Sequence, residues 1–301
     1  MTKKHSGEIG LIAVAIIWGS GFVGTQLSLD GGFRPIQILT LRFLLSTIIL
    51  NIIFFKQIKE NLCKGILISG SILGAVLCLS FAAQTVGLVY TTPSKNAFIT
   101  AANVVIVPFI GFILYKRKLD KIGIISSIVA LIGIGVLSLD EGVSVNIGDF
   151  LTLICAIGFA FHIFLTREFT LKYNSIALTS IQFMSAFLLS LILQIISGEG
   201  KIVATSAGYL GVIYLAIFGT TIGFLLQTIC QKKVDGTKTA IILSTEAVFG
   251  TIFSIIILGE VITIKMIIGC ILILGAIISA ETKLSFLKPN KPDVDYSNDN
   301  T

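Results

Sequence analysis

Charge is scarce in this chain. Only 13% of its 301 residues are Asp, Glu, Lys or Arg, against about 25% in a soluble globular domain. Water is therefore not the main solvent of the fold. Histidine is nearly absent, with His5 and His162 alone. No His-Glu-x-x-His occurs, so a metalloprotease ligand set is not available. A serine hydrolase would need a serine in register with His162, and no Gly-x-Ser-x-Gly supports one. No Gly-x-x-x-x-Gly-Lys-Ser/Thr loop is present, which excludes nucleotide hydrolysis by this chain. Cys63, Cys78, Cys155, Cys230 and Cys270 are odd in number, scattered, and free of any Cys-x-x-Cys. Neither a disulfide framework nor a zinc site follows, and they read as small core residues. The net charge of +6 does not come from basic clusters interleaved with aromatics, so no nucleic-acid partner is implied. No cofactor is called for.

What is abundant is apolar sequence. Hydrophobic residues make up 54% of the chain and the mean hydropathy is +0.98. A helix needs about 20 apolar residues to cross a bilayer. Ten runs meet that measure, near 9–28, 36–55, 65–87, 94–115, 121–139, 148–166, 174–197, 207–230, 238–258 and 264–282. The start could pass for a signal peptide, but no small-residue cleavage site follows, and it reads as a retained first helix. The fold class expected is all-α, a polytopic membrane protein of ten transmembrane helices. The polar tail, 288–301, reads as disordered and cytoplasmic.

Lys and Arg set the orientation. With ten spans, one side carries Lys3 and Lys4, Lys56 to Lys64, Lys116 to Lys121, Arg167 and Lys172, Lys232 to Lys238, and Lys283 onward. The other side has only Arg34, Lys95, Lys201 and Lys265, with an acidic loop at Asp140, Glu141 and Asp149. Basic loops stay inside. Both termini are expected in the cytoplasm of a plasma-membrane protein, with the lipid bilayer as partner.

The chain repeats itself. Residues 81–103 align with 224–246 without a gap, setting Phe81 on Phe224, Gln84 on Gln227, Lys95 on Lys238 and Asn103 on Glu246. Slightly smaller offsets set Trp18 on Phe159, Gly21 on His162 and Arg42 on Gln182. The halves run 1–143 and 144–287. Each holds five spans, an odd number, so the second half is expected upside down. The loop charges agree: Lys56, Lys59 and Lys64 are replaced by Lys201 alone. Inverted repeats put a substrate site at the midplane and exchange one arrangement for its mirror image.

The repeat, Trp18-Gly19-Ser20 near the start and Glu246 with Gly259-Glu260 near the end resemble the EamA family of the drug/metabolite transporter superfamily. The resemblance covers nearly the whole chain. The family usually has Glu-Pro where this chain has Glu246-Ala247. The resemblance implies a ten-helix carrier, often an exporter of amino acids or other small metabolites.

Candidate site residues are the polar and aromatic groups deep in apolar runs. A charge at the bilayer centre costs about 2.5–3.5 kcal/mol on insertion scales, so such groups face a cavity or a partner. Glu246 lies eight residues past Lys238, roughly 12 Å along a helix and near mid-depth. Asn103 lies equally far past Lys95. Glu246 is expected to bind a substrate ammonium or to carry a proton; the alternative is a protonated carboxyl bonded to a neighbouring helix. Asn96, Thr100 and Asn103 share one helical face. Thr220, Phe224, Gln227 and Gln231 form a stripe, with Gln84 the counterpart of Gln227. Trp18 and Phe159 are candidates for stacking on a substrate. His162 is a candidate for proton coupling, or a packing histidine. Arg42 is a charge partner for a substrate carboxylate or an acidic side chain, or an anchor reaching outward.

The function expected is a secondary-active transporter of a small molecule, without enzymatic activity, exporting by alternating access. An importer is the alternative within that class; a membrane sensor or intramembrane enzyme lies outside it. Two exchangeable halves suit a transporter and serve neither of the last two.

Overall fold

The computed structural model describes residues 3–116, 121–138, 146–234 and 236–282. The expected tail at 288–301, and Asp140 and Glu141 of the acidic loop, lie outside them. Among the described residues all regular structure is helical. The helices are α1 (Lys3–Asp30), α2 (Pro35–Asn61), α3 (Lys64–Leu88), α4 (Pro93–Ala101), α5 (Asn103–Tyr115), α6 (Lys121–Ser138) and α7 (Ile147–Thr170). Then follow α8 (Ser175–Ile196), α9 (Ser206–Tyr214), a π-helical segment (Leu215–Ile222), α10 (Gly223–Gln231), α11 (Gly236–Ser244), α12 (Glu246–Phe253), a second π segment (Ser254–Leu258) and α13 (Ile264–Thr282).

Local chemistry sets many of the starts. Pro35 and Pro93 open α2 and α4, where a missing N–H costs nothing. Thr92, Asn146, Asn174 and Thr205 cap α4, α7, α8 and α9 by accepting from first-turn amides, each worth about 1 kcal/mol. Gly259 ends the second π segment in the left-handed region, φ 67°, which glycine adopts without penalty.

Among the described residues, seven helices are long and apolar enough to cross a bilayer: Ser6–Asp30, Pro35–Asn61, Lys64–Leu88, Pro93–Ile113, Ile147–Thr170, Ser175–Ile196 and Ser206–Gln231. Three shorter apolar helices, Ile124–Val136, Ile242–Leu258 and Ile264–Ala276, lie where the fifth, ninth and tenth runs were read. Two runs expected as single helices are interrupted. The fourth breaks at Ala102 and the ninth at Thr245, where ψ relaxes to −10° and −11°. The interruptions immediately precede Asn103 and Glu246, the pair aligned by the repeat.

The packing is inside out relative to a soluble protein. Ile52, Ile113, Ile196, Ile256 and Ile264 are exposed, while Arg42, Asn96, His162, Gln227 and Glu246 are buried. This is the arrangement lipid selects, because apolar side chains are cheap outside and polar ones need partners. The two halves interdigitate: α2 packs on α8, α3 on α7 and α8, α6 on α13, and α1 on α9, α10 and α12. Small residues allow the close approaches. A Cβ at Gly133 of α6 would lie 3.0 Å from Leu272 of α13.

Candidate functional site: a central cavity

One cavity, of about 630 Å³ counting its open mouth, lies where the halves meet. It is lined by Trp18, Gly21, Phe22 and Thr25 of α1, Arg42 of α2, Phe81 and Gln84 of α3 and Asn103 of α5. From the second half come Phe159, His162 and Ile163 of α7, Leu215 and Gly219 of the π segment, Phe224 and Gln227 of α10, Leu243 of α11 and Glu246 of α12.

The aromatic wall is continuous. Trp18 and Phe224 have ring centroids 4.7 Å apart, Phe81 and Phe159 5.1 Å, and Phe81 and Phe224 5.8 Å. Tilted and edge-on contacts of this kind add about 0.5–1.5 kcal/mol each beyond burial. Trp18 is further fixed by its indole N–H, which donates to the Gly219 carbonyl at 3.0 Å.

That carbonyl belongs to the π segment. Its backbone pattern shifts from i+4 to i+5, and such bulges recur at functional sites. Here the Ala216 carbonyl accepts from Ser46 Oγ at 2.9 Å and from Thr221 Oγ1 at 2.8 Å. Thr220 Oγ1 accepts from Arg42 Nε at 2.9 Å. The guanidinium of Arg42 also sits 4.1 Å above the Phe81 ring centroid. Arg42 is 3% exposed; it is turned into the cavity and does not reach outward.

The remaining polar groups are largely unengaged. Gln227 is fully buried, yet neither its Oε1 nor its Nε2 has a partner among the described residues. The same holds for Asn103 Oδ1 and His162 Nε2. The His162 ring is oriented from its other side by a hydrogen bond with Gln182 and lies edge-on to Phe224. Glu246 is 6% exposed, and no described residue forms an ion pair with its carboxyl.

Of the sequence candidates, the structure brings together Trp18, Arg42, Gln84, Asn103, Phe159, His162, Phe224, Gln227 and Glu246. Asn96 and Thr100 are outside the lining. Asn96 donates to the Gln84 carbonyl at 3.2 Å and to Thr152 Oγ1 at 2.9 Å. Thr100 Oγ1 accepts from Gln84 Nε2 at 3.1 Å. They share Asn103's face in an ideal helix, but the break at Ala102 separates them from it. Gln231 Nε2 donates to the Ile163 carbonyl at 2.9 Å and is outside the lining. Phe81 and Gln182 were not singled out as site residues. The repeat carried the signal for both, since they align with Phe224 and Arg42.

The comparisons point one way. Residues 5–139 and again 146–280 match the EamA-like transporter family. An uncharacterized transporter of Archaeoglobus fulgidus is 32% identical over 276 residues, covering 92% of this chain and 86% of that protein. An uncharacterized transporter of Clostridium kluyveri is 27% identical over 302 residues, covering 94% and 96%. A solved crystal structure with 15% identity shares the fold at a TM-score of 0.70, over 94% of this chain and 98% of that one.

Proposed function

This chain belongs to the EamA-like transporter family, and from that premise we propose that it is a secondary carrier, exporting amino acids or similar small metabolites by alternating access. The protein is a membrane transporter; substrate, direction and mechanism are the added reading. The observation that carries it is the pairing across the cavity. Trp18 with Phe159, Gly21 with His162, Phe81 with Phe224, Gln84 with Gln227 and Asn103 with Glu246 are aligned by the repeat, and all ten line one space. A site built from both halves changes its access when the halves exchange shapes. The double family match at 5–139 and 146–280 supports the division of the chain, and the loop charges support an inverted second half with both termini in the cytoplasm. Export rests on the family resemblance.

In this reading Glu246 holds a substrate ammonium or a transported proton, with His162 the other titratable group in the wall. The aromatic wall takes the apolar part of the substrate. Alternation bends the chain at Ala102 and Thr245, beside the two polar residues that meet the ligand.

The test is uptake into liposomes by purified protein, with labelled amino acids and small cations, with and without a pH gradient, beside Glu246→Gln. Gradient-driven flux lost in the variant is the expected result. Flux indifferent to both keeps the carrier and removes Glu246 from its mechanism.

A further inference from the structure

Arg42 is a buried cation whose immediate surroundings leave its charge unanswered. Its Nε is held by Thr220 and its plane lies over Phe81. These contacts fix the head without neutralising it. Among the described residues none accepts from its terminal Nη groups and no carboxylate pairs with it. Those nitrogens face the cavity near Gly219, where a Cβ would stand 3.7 Å from Nη2. A buried charge without a counter-charge is expensive, and a ligand that supplies the counter-charge recovers that cost on binding. The free edge of a guanidinium presents two parallel N–H groups, which match the two oxygens of a carboxylate.

A second observation is independent of the first. Gln227 lies seven residues beyond Thr220 on the same span, fully buried in the cavity wall, with both amide atoms unpartnered. A primary amide left dry costs free energy on both sides. It fits a ligand polar group that donates and accepts near the carboxylate. The floor between is aromatic, and the glycine at 219 leaves room above the guanidinium.

We propose that Arg42, positioned by Thr220 and Phe81, is a carboxylate-binding subsite, that Gln227 reads an adjacent polar group, and that the carrier requires a carboxylate on its substrate. This deepens the carrier reading and rests on it only for the claim that the bound molecule is also moved. Thr220 acts through Arg42 and is a positioning residue.

The chain supplies its own reporter. Trp18 is its single tryptophan, and it stands in the cavity against Phe224. Emission of the purified full-length protein is titrated with leucine, phenylalanine, 4-methylpentanoate and phenylacetate, and with the primary amide of each. The expected result is that one or more acids shift Trp18 emission and its amide binds at least about tenfold more weakly, the scale of a lost charge-assisted pair. Arg42→Gln removes the difference between acid and amide, and Arg42→Lys keeps part of it. Thr220→Val weakens acids and leaves amides unchanged. If Arg42→Gln does not fold, the acid–amide comparison on the unaltered protein and on Arg42→Lys still decides. Equal binding of acids and amides overturns the proposal. So does an acid preference that survives Arg42→Gln, or a failure of every acid to perturb Trp18. Liposome flux is measured in parallel: binding without flux overturns the carrier reading and leaves the subsite, while flux without acid discrimination does the reverse.

Discussion

Gln84 and Gln227 occupy equivalent places in the two halves, and they behave differently. Gln84 donates to Thr100 at 3.1 Å and so helps fasten α3 to α4. Gln227 has no partner at either amide atom among the described residues. The contrast extends along the wall. In the first half Arg42 is clamped by Thr220 and Phe81. In the second, the Gln227 amide and His162 Nε2 have no partner among the described residues. The spans differ too. α3 is regular from Lys64 to Leu88, whereas its counterpart opens into a π segment at Leu215–Ile222. Duplication fixed where side chains stand. Divergence then gave the two glutamines different surroundings, one set as scaffold and the other placed as a reader, because a polar group in a dry wall must either satisfy a neighbour or await a ligand.

The sharpest way to break this contrast is at its two polar poles. Glu246→Gln is expected to reduce initial flux in liposomes by about 100-fold, roughly 3 kcal/mol of barrier, whereas Asn103→Ala reduces it only a few-fold. Equal losses would make the halves equivalent. The next effect comes from the first residue of α10, just past the π segment. A Cβ at Gly223 would stand 2.5 Å from Trp18 Nε1, so Gly223→Ala displaces the indole and breaks its bond to Gly219. Trp18 emission should shift and flux should fall about tenfold, an effect of ~1.4 kcal/mol. Gly219→Ala, whose nearest Cβ neighbours are 3.7 Å away, should fold normally.

The glutamines themselves give a subtler split. Gln227→Ala should raise KM several-fold with an unchanged melting temperature, and Gln84→Ala should lower the melting temperature with little change in KM. The reverse pattern would overturn the division between reader and scaffold. The smallest effect is a control far from the cavity. Ser94 Oγ donates to Glu260 at 2.7 Å, and Ser94→Ala should cost about 1 kcal/mol of stability, read as a lower melting temperature with KM unchanged.

Most of the helical architecture was legible in the chain because lipid imposes a simple rule. Long apolar runs become helices, since no other open structure satisfies its backbone there. The two glycine-free breaks were not legible. Neither Ala102 nor Thr245 is a Pro or Gly, and the breaks lie where α4 packs on α7 and α12. For the same reason Asn96 and Thr100 read as neighbours of Asn103 on one face, and the structure turns them away behind Gln84. The cavity residues paired by the repeat were legible because they are the polar and aromatic positions aligned between the two halves, and these line one cavity. Gln182 was visible only as the partner of Arg42 in the alignment, with no hint that it would orient His162.

By itself the sequence determined that this protein lives in a bilayer, that it is built twice, and which buried groups are too costly to be there without purpose. Composition and periodicity carry those conclusions, because burial in lipid is priced residue by residue. Only the tertiary structure decided which of those groups are answered by a neighbour and which remain open. Whether Arg42 meets a carboxylate, a hydroxyl or a ring depends on residues 178 positions away at Thr220 and on a π turn that no local signal announces. Such contacts arise when helices from distant parts of the chain pack together, and that packing sets them to within a few tenths of an ångström.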